Sequence, residues 1–303
     1  MPDRFSVFSR SETGAANDAS LSDEEIASLA KHNTGAGCLE TGRRLIEKSS
    51  WEPMETVEIS LIGDRDDNQD RGAIAKSGEA ILLVVVDGMG GHAQGELAAQ
   101  TAVDTIVREF EEQSFPMENG SEFLGRCISK AHAAVFDLGE SMQAEDRPRA
   151  TCALCLIQQD SALWAHVGDS RVYHLREGRV LARTRDHSHV EVLLQDGLIT
   201  EEEILSHPLR NFVECCLGGD SALPEVGMSV PAVLENGDII LACSDGLWGG
   251  ASDEEIAAFY QPDEGSLAAC LEALSYAAID ACAPWSDNTT VAVLRVGPNG
   301  DSG

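Results

Sequence analysis

The stretch "GAIAKSGEAILLVVVDG", Gly72 to Gly88, decides the fold. Ser77-Gly78 offers a turn, and the β-branched and aliphatic residues on either side of it read as two strands. "METVEISLIG" just before it reads as another strand. Past it the period changes: "QGELAAQTAVDTIVREFEEQ" and roughly residues 121–141 repeat as helices. A meander of strands follows in "TCALCLIQQDSALWAHVGDSRVYHLREGRVLART", with turns at Gln159-Asp160, Gly168-Asp169 and Glu177-Gly178. Residues 186–226 are polar, helical in patches and broken by Pro208 and Gly218-Gly219, which marks an insertion. "GDIILACSDG" is a buried strand, "SDEEIAAFY" opens with capping-box spacing from Ser252 to Glu255, a helix spans about 264–282, and "DNTTVAVLRV" is a closing strand. Strands grouped with strands and helices with helices predict α+β with antiparallel sheets, not alternating βαβ units.

The chain has 303 residues, 43% of them hydrophobic, enough for one large core. Its formal net charge is -31, of which only -4 falls in residues 1–56. So acidic a domain repels nucleic acid and anionic lipid and favours basic partners. The longest apolar run, "AILLVVV", is too short to cross a bilayer, and Met1-Pro2 opens neither a lipidation signal nor an export leader. A cytoplasmic, monomeric protein with no nucleic-acid or membrane partner is the expectation. Nine cysteines in mostly apolar contexts suit buried free thiols. Cys152 and Cys155 make a C-x-x-C, but residues three apart on a strand face opposite sides, which argues against a shared metal or redox bond. Residues 1–53 read as an acidic, mostly flexible extension with one short helix, "SDEEIASLAKH", capped by Ser22 and Glu25.

Acids recur where strands end. Asp87 ends "AILLVVVDG", Asp245 ends "DIILACSDG", and Asp287 begins "DNTTVAVLRV". A single Asp-Gly pair ordinarily marks a tight turn. Three strand-rim aspartates, together with the crowded "GDRDDNQDR" of Gly63 to Arg71, point instead to hard divalent cations such as Mg²⁺ and Mn²⁺. An EF-hand fails, because Gln69 stands where a glycine is needed and Ala75 where a bidentate glutamate is needed.

The motifs "RDDNQD", "VVVDGMGGH", "VGDSRVYHL", "DHS", "HPLRN", "LACSDGLW" and "SDNTTVAVL" together resemble those of the metal-dependent serine/threonine protein phosphatases, the PPM or protein phosphatase 2C family, in its bacterial branch. The resemblance covers about residues 56–296. It implies a four-layer α-β-β-α sandwich of two antiparallel sheets flanked by helix pairs, in a domain of about residues 54–298 with a flap at about 186–226. It implies hydrolysis of phosphoserine and phosphothreonine in proteins through a dimetal-activated water, with two Mn²⁺ or Mg²⁺ as cofactors, opposing a bacterial serine/threonine kinase. Phosphorylated proteins are then the substrates, and that kinase is a partner.

By the same resemblance Asp87 bridges two ions, the Gly88 carbonyl binds one, Asp245 and Asp287 bind the other, and Asp70 joins directly or through water. Arg65 is the phosphate-binding arginine, Asn68 and Gln69 brace the turn, and Asp64, Asp66 and Asp67 are solvated. Asp169 belongs to a weaker third metal site, one of whose usual acids is replaced here by Gly249. Met89 stands where some members carry a histidine, so no general acid is assigned; His92 suits a turn, and His187 and His207 organise the flap. Ala150-Thr151-Cys152 replaces the usual Gly-Thr-Thr. The competing reading is a catalytically silent module of the same fold that binds phosphoprotein, against which the retention of Arg65, Asp70, Asp87, Asp245 and Asp287 argues.

Overall fold

The structure, a computed structural model, describes residues 44–46, 54–78, 80–89, 93–204, 207–210, 212–260 and 265–297. The helix expected from Ser22 to His32 and the turn position of His92 lie outside the described residues. The strands are β1 (Arg44–Ile46), β2 (Glu55–Leu61), β3 (Asp70–Ser77), β4 (Ala80–Met89), β5 (Arg149–Ala150), β6 (Cys152–Gln158), β7 (Ser161–Val167), β8 (Arg171–Arg176), β9 (Arg179–Arg183), β10 (Leu217–Gly218), β11 (Gly227–Met228), β12 (Ala232–Val233), β13 (Ile239–Cys243) and β14 (Thr289–Arg295). One sheet runs β1-β2-β14-β13-β8-β9. The other runs β10-β5-β4-β6-β7-β11, with β3 paired to β4 and β12 to β7. Every pairing is antiparallel. A short edge strand, β1, thus precedes the boundary expected at Met54.

β4 shows why its sequence has no polar alternation. Leu82, Val84 and Val86 pack against helices α1 (Ala93–Glu111) and α2 (Gly120–Leu138), while Ile81, Leu83 and Val85 point to the second sheet and meet Ile240, Ala242, Ala292 and Leu294. A strand covered on both faces has no side to give to water. Beyond the second sheet, Val57, Leu241 and Val293 pack under the helices α5 (Asp245–Trp248), α6 (Asp253–Ala258) and α7 (Leu267–Cys282). Helix, sheet, sheet and helix make four layers, with a core between each adjacent two. Two small helices, α3 (His189–Gln195) and α4 (Glu201–Ile204), lie in the insertion.

Local chemistry matches the local spacing. Ser77-Gly78 turns β3 into β4 with Gly78 at φ 55°, and Glu177 and Gly178 both take positive φ, 50° and 70°, in the hairpin between β8 and β9. The capping box of Ser252 and Glu255 starts α6. Cys152 belongs to the layer under α1 and α2, whereas Cys155 lies between the sheets, so the C-x-x-C is divided by its own strand. All eight described cysteines are free thiols.

Candidate functional site

The ends of both sheets bring distant acids together. Register places Asp70 of β3 opposite Asp87 of β4. Asp245 opens α5 directly after β13, and Asp287 lies just before β14, the neighbour of β13. Asp169 follows β7 at a turn where Gly168 has φ 94° and a Cβ would strike Thr151 at 2.5 Å. Asp70 and Asp169 are only 2% and 3% exposed, while Asp87 and Asp245 are open in part to the cleft.

These carboxylates disturb one another. Burial, and then the charges of Asp70, Asp245, Asp169 and Asp287, push Asp87 well above the ordinary carboxylate range. Asp245 is pushed up by burial and by Asp169, Asp287 and Asp70, with Arg65 pulling the other way. Burial carries Asp70 to about 6 against the opposing hydrogen bond from Ser244. Burial and the charge of Asp186 carry Asp169 to about 7. Oδ1 of Asp169 and Oδ1 of Asp245 are buried without a hydrogen-bond partner.

Such a set fits divalent cations: hard oxygen donors, surplus negative charge and two buried oxygens left without partners. Among the described residues no three acidic, histidine or cysteine side chains meet around one point as ligands.

The loop of Gly63 to Arg71 is held to β14 and its approach. Asn288 is the clamp: its Oδ1 accepts from Gln69 N at 2.8 Å, and its Nδ2 donates to the carbonyls of Ile62 at 2.8 Å and Asp67 at 3.0 Å. Asn68 accepts from Asp70 N at 3.0 Å and donates to Ser60 Oγ at 2.9 Å, while the Gln69 carbonyl accepts from Gly88 N at 3.2 Å. Asp64 to Asp67 are all exposed, yet Asp64 is more than solvated. It accepts from Ser286 N at 3.1 Å and from Ser286 Oγ at 2.8 Å. Arg65, with its side chain 53% exposed, donates to Asp287 Oδ2.

Sequence spacing did not show what orients the acids. Ser244 Oγ donates to Asp70 Oδ2 at 2.6 Å, and Thr290 N donates to Ser244 Oγ at 2.9 Å. Gly88 packs against Gly95 in the first turn of α1, where a Cβ on Gly88 would lie 2.0 Å from the Gly95 carbonyl oxygen; "GELAA" held that clue as a glycine inside a helical pattern. Behind Asp169, Arg171 binds Asp186 through two bonds of 2.8 and 2.7 Å and lies 3.8 Å from the Trp248 ring centroid. The Trp248 indole N–H donates to the Asp169 carbonyl at 3.0 Å. His187 N donates to the Gly168 carbonyl at 2.9 Å, which ties the start of the insertion beside Asp169. His207 Nδ1 accepts from Leu209 N within its own turn.

Gly249, where a third-site acid was expected to be missing, has φ -68°, so no left-handed geometry demands a glycine there. A Cβ would nevertheless lie 2.9 Å from the Asp245 carbonyl oxygen. An apolar hollow of about 450 Å³ lined by Phe259, Leu274 and Ala278 lies along α6 and α7 and includes none of the aspartates. It has no donors suited to phosphate.

Residues 60–274 match the family profile described as Protein phosphatase 2C. A protein phosphatase 2C-type relative from Streptococcus pyogenes is 35% identical over 207 residues, which are 66% of this chain and 82% of the relative. The solved serine/threonine phosphatase of S. agalactiae superposes with a TM-score of 0.73 at 30% identity, covering 80% of this chain and 99% of that one. The catalytic domain of the serine/threonine phosphatase PstP, solved with two manganese ions, superposes with a TM-score of 0.66 at 28% identity, covering 80% of this chain and 98% of its own. Motif order, four-layer architecture, family profile and superposition agree, and the chain belongs to the protein phosphatase 2C family.

Proposed function

We propose that this phosphatase hydrolyses phosphoserine and phosphothreonine in proteins with two divalent cations, Mn²⁺ or Mg²⁺, and that it opposes a serine/threonine kinase in a bacterial cytoplasm. One observation carries the reading: aspartates from both sheets are gathered beside an exposed arginine, where burial and then one another's charge push them up, and two of their buried oxygens have no protein partner. A phosphate dianion would be repelled from this cleft without compensating positive charge.

Asp87 and the Gly88 carbonyl would hold one cation and Asp245 and Asp287 the other, with Asp87 shared and Asp70 alongside. Asp169 would share Asp245 in a third, weaker site, because Gly249 contributes no carboxylate. Cations held by these carboxylates would supply positive charge for the substrate phosphate and a water acidic enough to act as nucleophile near neutral pH.

The chain's own groups do the rest. Ser244 fixes the carboxylate of Asp70, so its second oxygen keeps one direction. Asn288 holds the loop that carries Arg65. The Arg65 guanidinium presents a planar fork of donors for two phosphate oxygens, and charge moving toward the leaving oxygen strengthens those bonds. Its contact with Asp287 keeps that fork at the cleft edge.

Release of phosphate from an aryl phosphate and from a phosphothreonine peptide in Mn²⁺, abolished by a chelator and restored by added metal, tests the reading. Tight phosphopeptide binding without turnover at saturating metal would overturn it.

A further inference from the structure

Trp285 is 85% exposed, whereas Trp164 and Trp248 are 7% and 8% exposed. An indole open to water on both faces is a large surface on which a ligand group can stack. Its backbone is nonetheless fixed. Trp285 N donates to the Cys282 carbonyl at 3.0 Å, and the next residue, Ser286, is bonded to Asp64. Two residues on, Asp287 pairs with Arg65. With Cα atoms about 3.8 Å apart along the chain, Trp285 stands within about 8 Å of Asp287. A bound peptide advances about 3.3–3.6 Å per residue, so a neighbour one to three positions from the phosphorylated residue can reach the ring.

Charge says what that neighbour is. The chain carries -31 overall, and Asp64 and Asp66 stand exposed on the loop bonded to Ser286. An acidic neighbour would be repelled there. An arginine or lysine would gain from the field and from the electron-rich face of the indole.

We propose that Trp285 is a specificity-determining residue that stacks on an arginine or lysine lying one to three positions from the phosphorylated serine or threonine. The enzyme thereby prefers phosphorylated segments with basic neighbours. This inference rests on the phosphatase reading above.

The test uses the full chain in Mn²⁺ with an aryl phosphate and matched phosphothreonine peptides carrying Arg, Ala or Glu at each flanking position. The unsubstituted protein is expected to rank the peptides Arg above Ala above Glu in kcat/KM. Trp285→Ala should lower the Arg-to-Ala ratio about three- to tenfold, through KM, and Trp285→Phe should keep part of it. A ratio unchanged in both variants would assign any basic preference to the general field and overturn the role of Trp285. An equal loss on the aryl phosphate and on every peptide would also overturn it, because Trp285 would then merely position Asp287. If the unsubstituted protein turned over neither substrate class, the phosphatase reading itself would fall first. Normal aryl phosphate turnover without any peptide ranking would sink this inference alone.

Discussion

One strand, β13, carries an aspartate beyond each end, and the two could hardly be treated more differently. Asp238, before it, is fully buried and fully paired. It accepts from Arg176 at 2.6 and 2.8 Å, from Glu235 N at 2.9 Å, and shares a 2.8 Å bond with His174. Burial alone would raise its pKa, but those bonds outweigh it and hold Asp238 at about 2. Asp245, beyond the other end, has a buried oxygen with no partner and acids for neighbours, and it moves the opposite way. The protein supplies all the countercharge at one end and only the exposed Arg65 at the other. Buried carboxylates therefore mark the scaffold where they are satisfied and the chemistry where they are not.

The largest effect expected from breaking this contrast is on turnover. Asp87→Asn or Asp245→Asn should lower kcat on an aryl phosphate by on the order of 10³-fold or more, with the fold intact by circular dichroism. In chelator the same variants should melt no lower than the unsubstituted protein, since they lose a repelled charge. Near-normal activity of either at saturating Mn²⁺ would refute their assignment as metal ligands.

At the opposite end, Asp238→Ala should cost about 3–5 kcal/mol of stability, because Arg176 and His174 lose the charge they surround. A denaturant titration would measure it. The activity of the folded fraction should be retained; a selective loss of activity instead would erase the distinction between the two ends.

Arg65→Ala comes next. Loss of charge-assisted bonds to phosphate should cost about 1.5–3 kcal/mol in kcat/KM while metal affinity stays within a few-fold by calorimetry. A collapse of metal affinity with unchanged KM would make Arg65 a support for Asp287.

The two ends should also answer pH with opposite sign. Asp70 and Asp169 in the metal-free protein are raised from 3.8 to about 6 and about 7. Their contribution to stability is present below about pH 4 and lost as pH rises through 6 to 7. Asp238, depressed to about 2, contributes above about pH 4 and loses its contribution as pH falls toward 2. Melting temperature in chelator should therefore fall by several degrees between pH 5 and pH 8 (values about a unit either side of those pKa values), and saturating Mn²⁺ should remove that fall. A flat profile in chelator would mean that burial and neighbouring charge do not raise Asp70 and Asp169.

The smallest effect concerns the extension. A chain beginning at residue 43 should keep full activity on an aryl phosphate, and one beginning at Met54 should lose only the stability contributed by pairing Arg44–Ile46 to β2. Insolubility of the longer of the two would place part of residues 1–42 in the core.

Much of this was legible in the residues themselves. "AILLVVV" announced a strand, Cys152 and Cys155 were parted by strand periodicity, Ser252 and Glu255 marked a helix start, and Asp87, Asp245 and Asp287, picked out at strand rims, stand where the acids gather. Those signals are local, written within a few residues. What was missed is non-local: Ser244 on Asp70 spans 174 positions, Asn288 on Gln69 spans 219, and Ser286 on Asp64 spans 222. Asp64 was expected to be merely solvated because nothing near it in sequence asks for its oxygen; its partner is at the far end of the chain.

The Asn288 clamp has a consequence for biosynthesis. Strand β2 has no β14 to pair with, and the Arg65 loop has no anchor, until some 230 further residues have been made. At about 5–20 residues per second that is roughly 10 to 45 seconds of translation. Throughout that interval the nascent chain displays its acids without an assembled cleft. A chain that stops before Asn288 lacks both β14 and the clamp on the Arg65 loop, and it is expected to release no phosphate from an aryl phosphate.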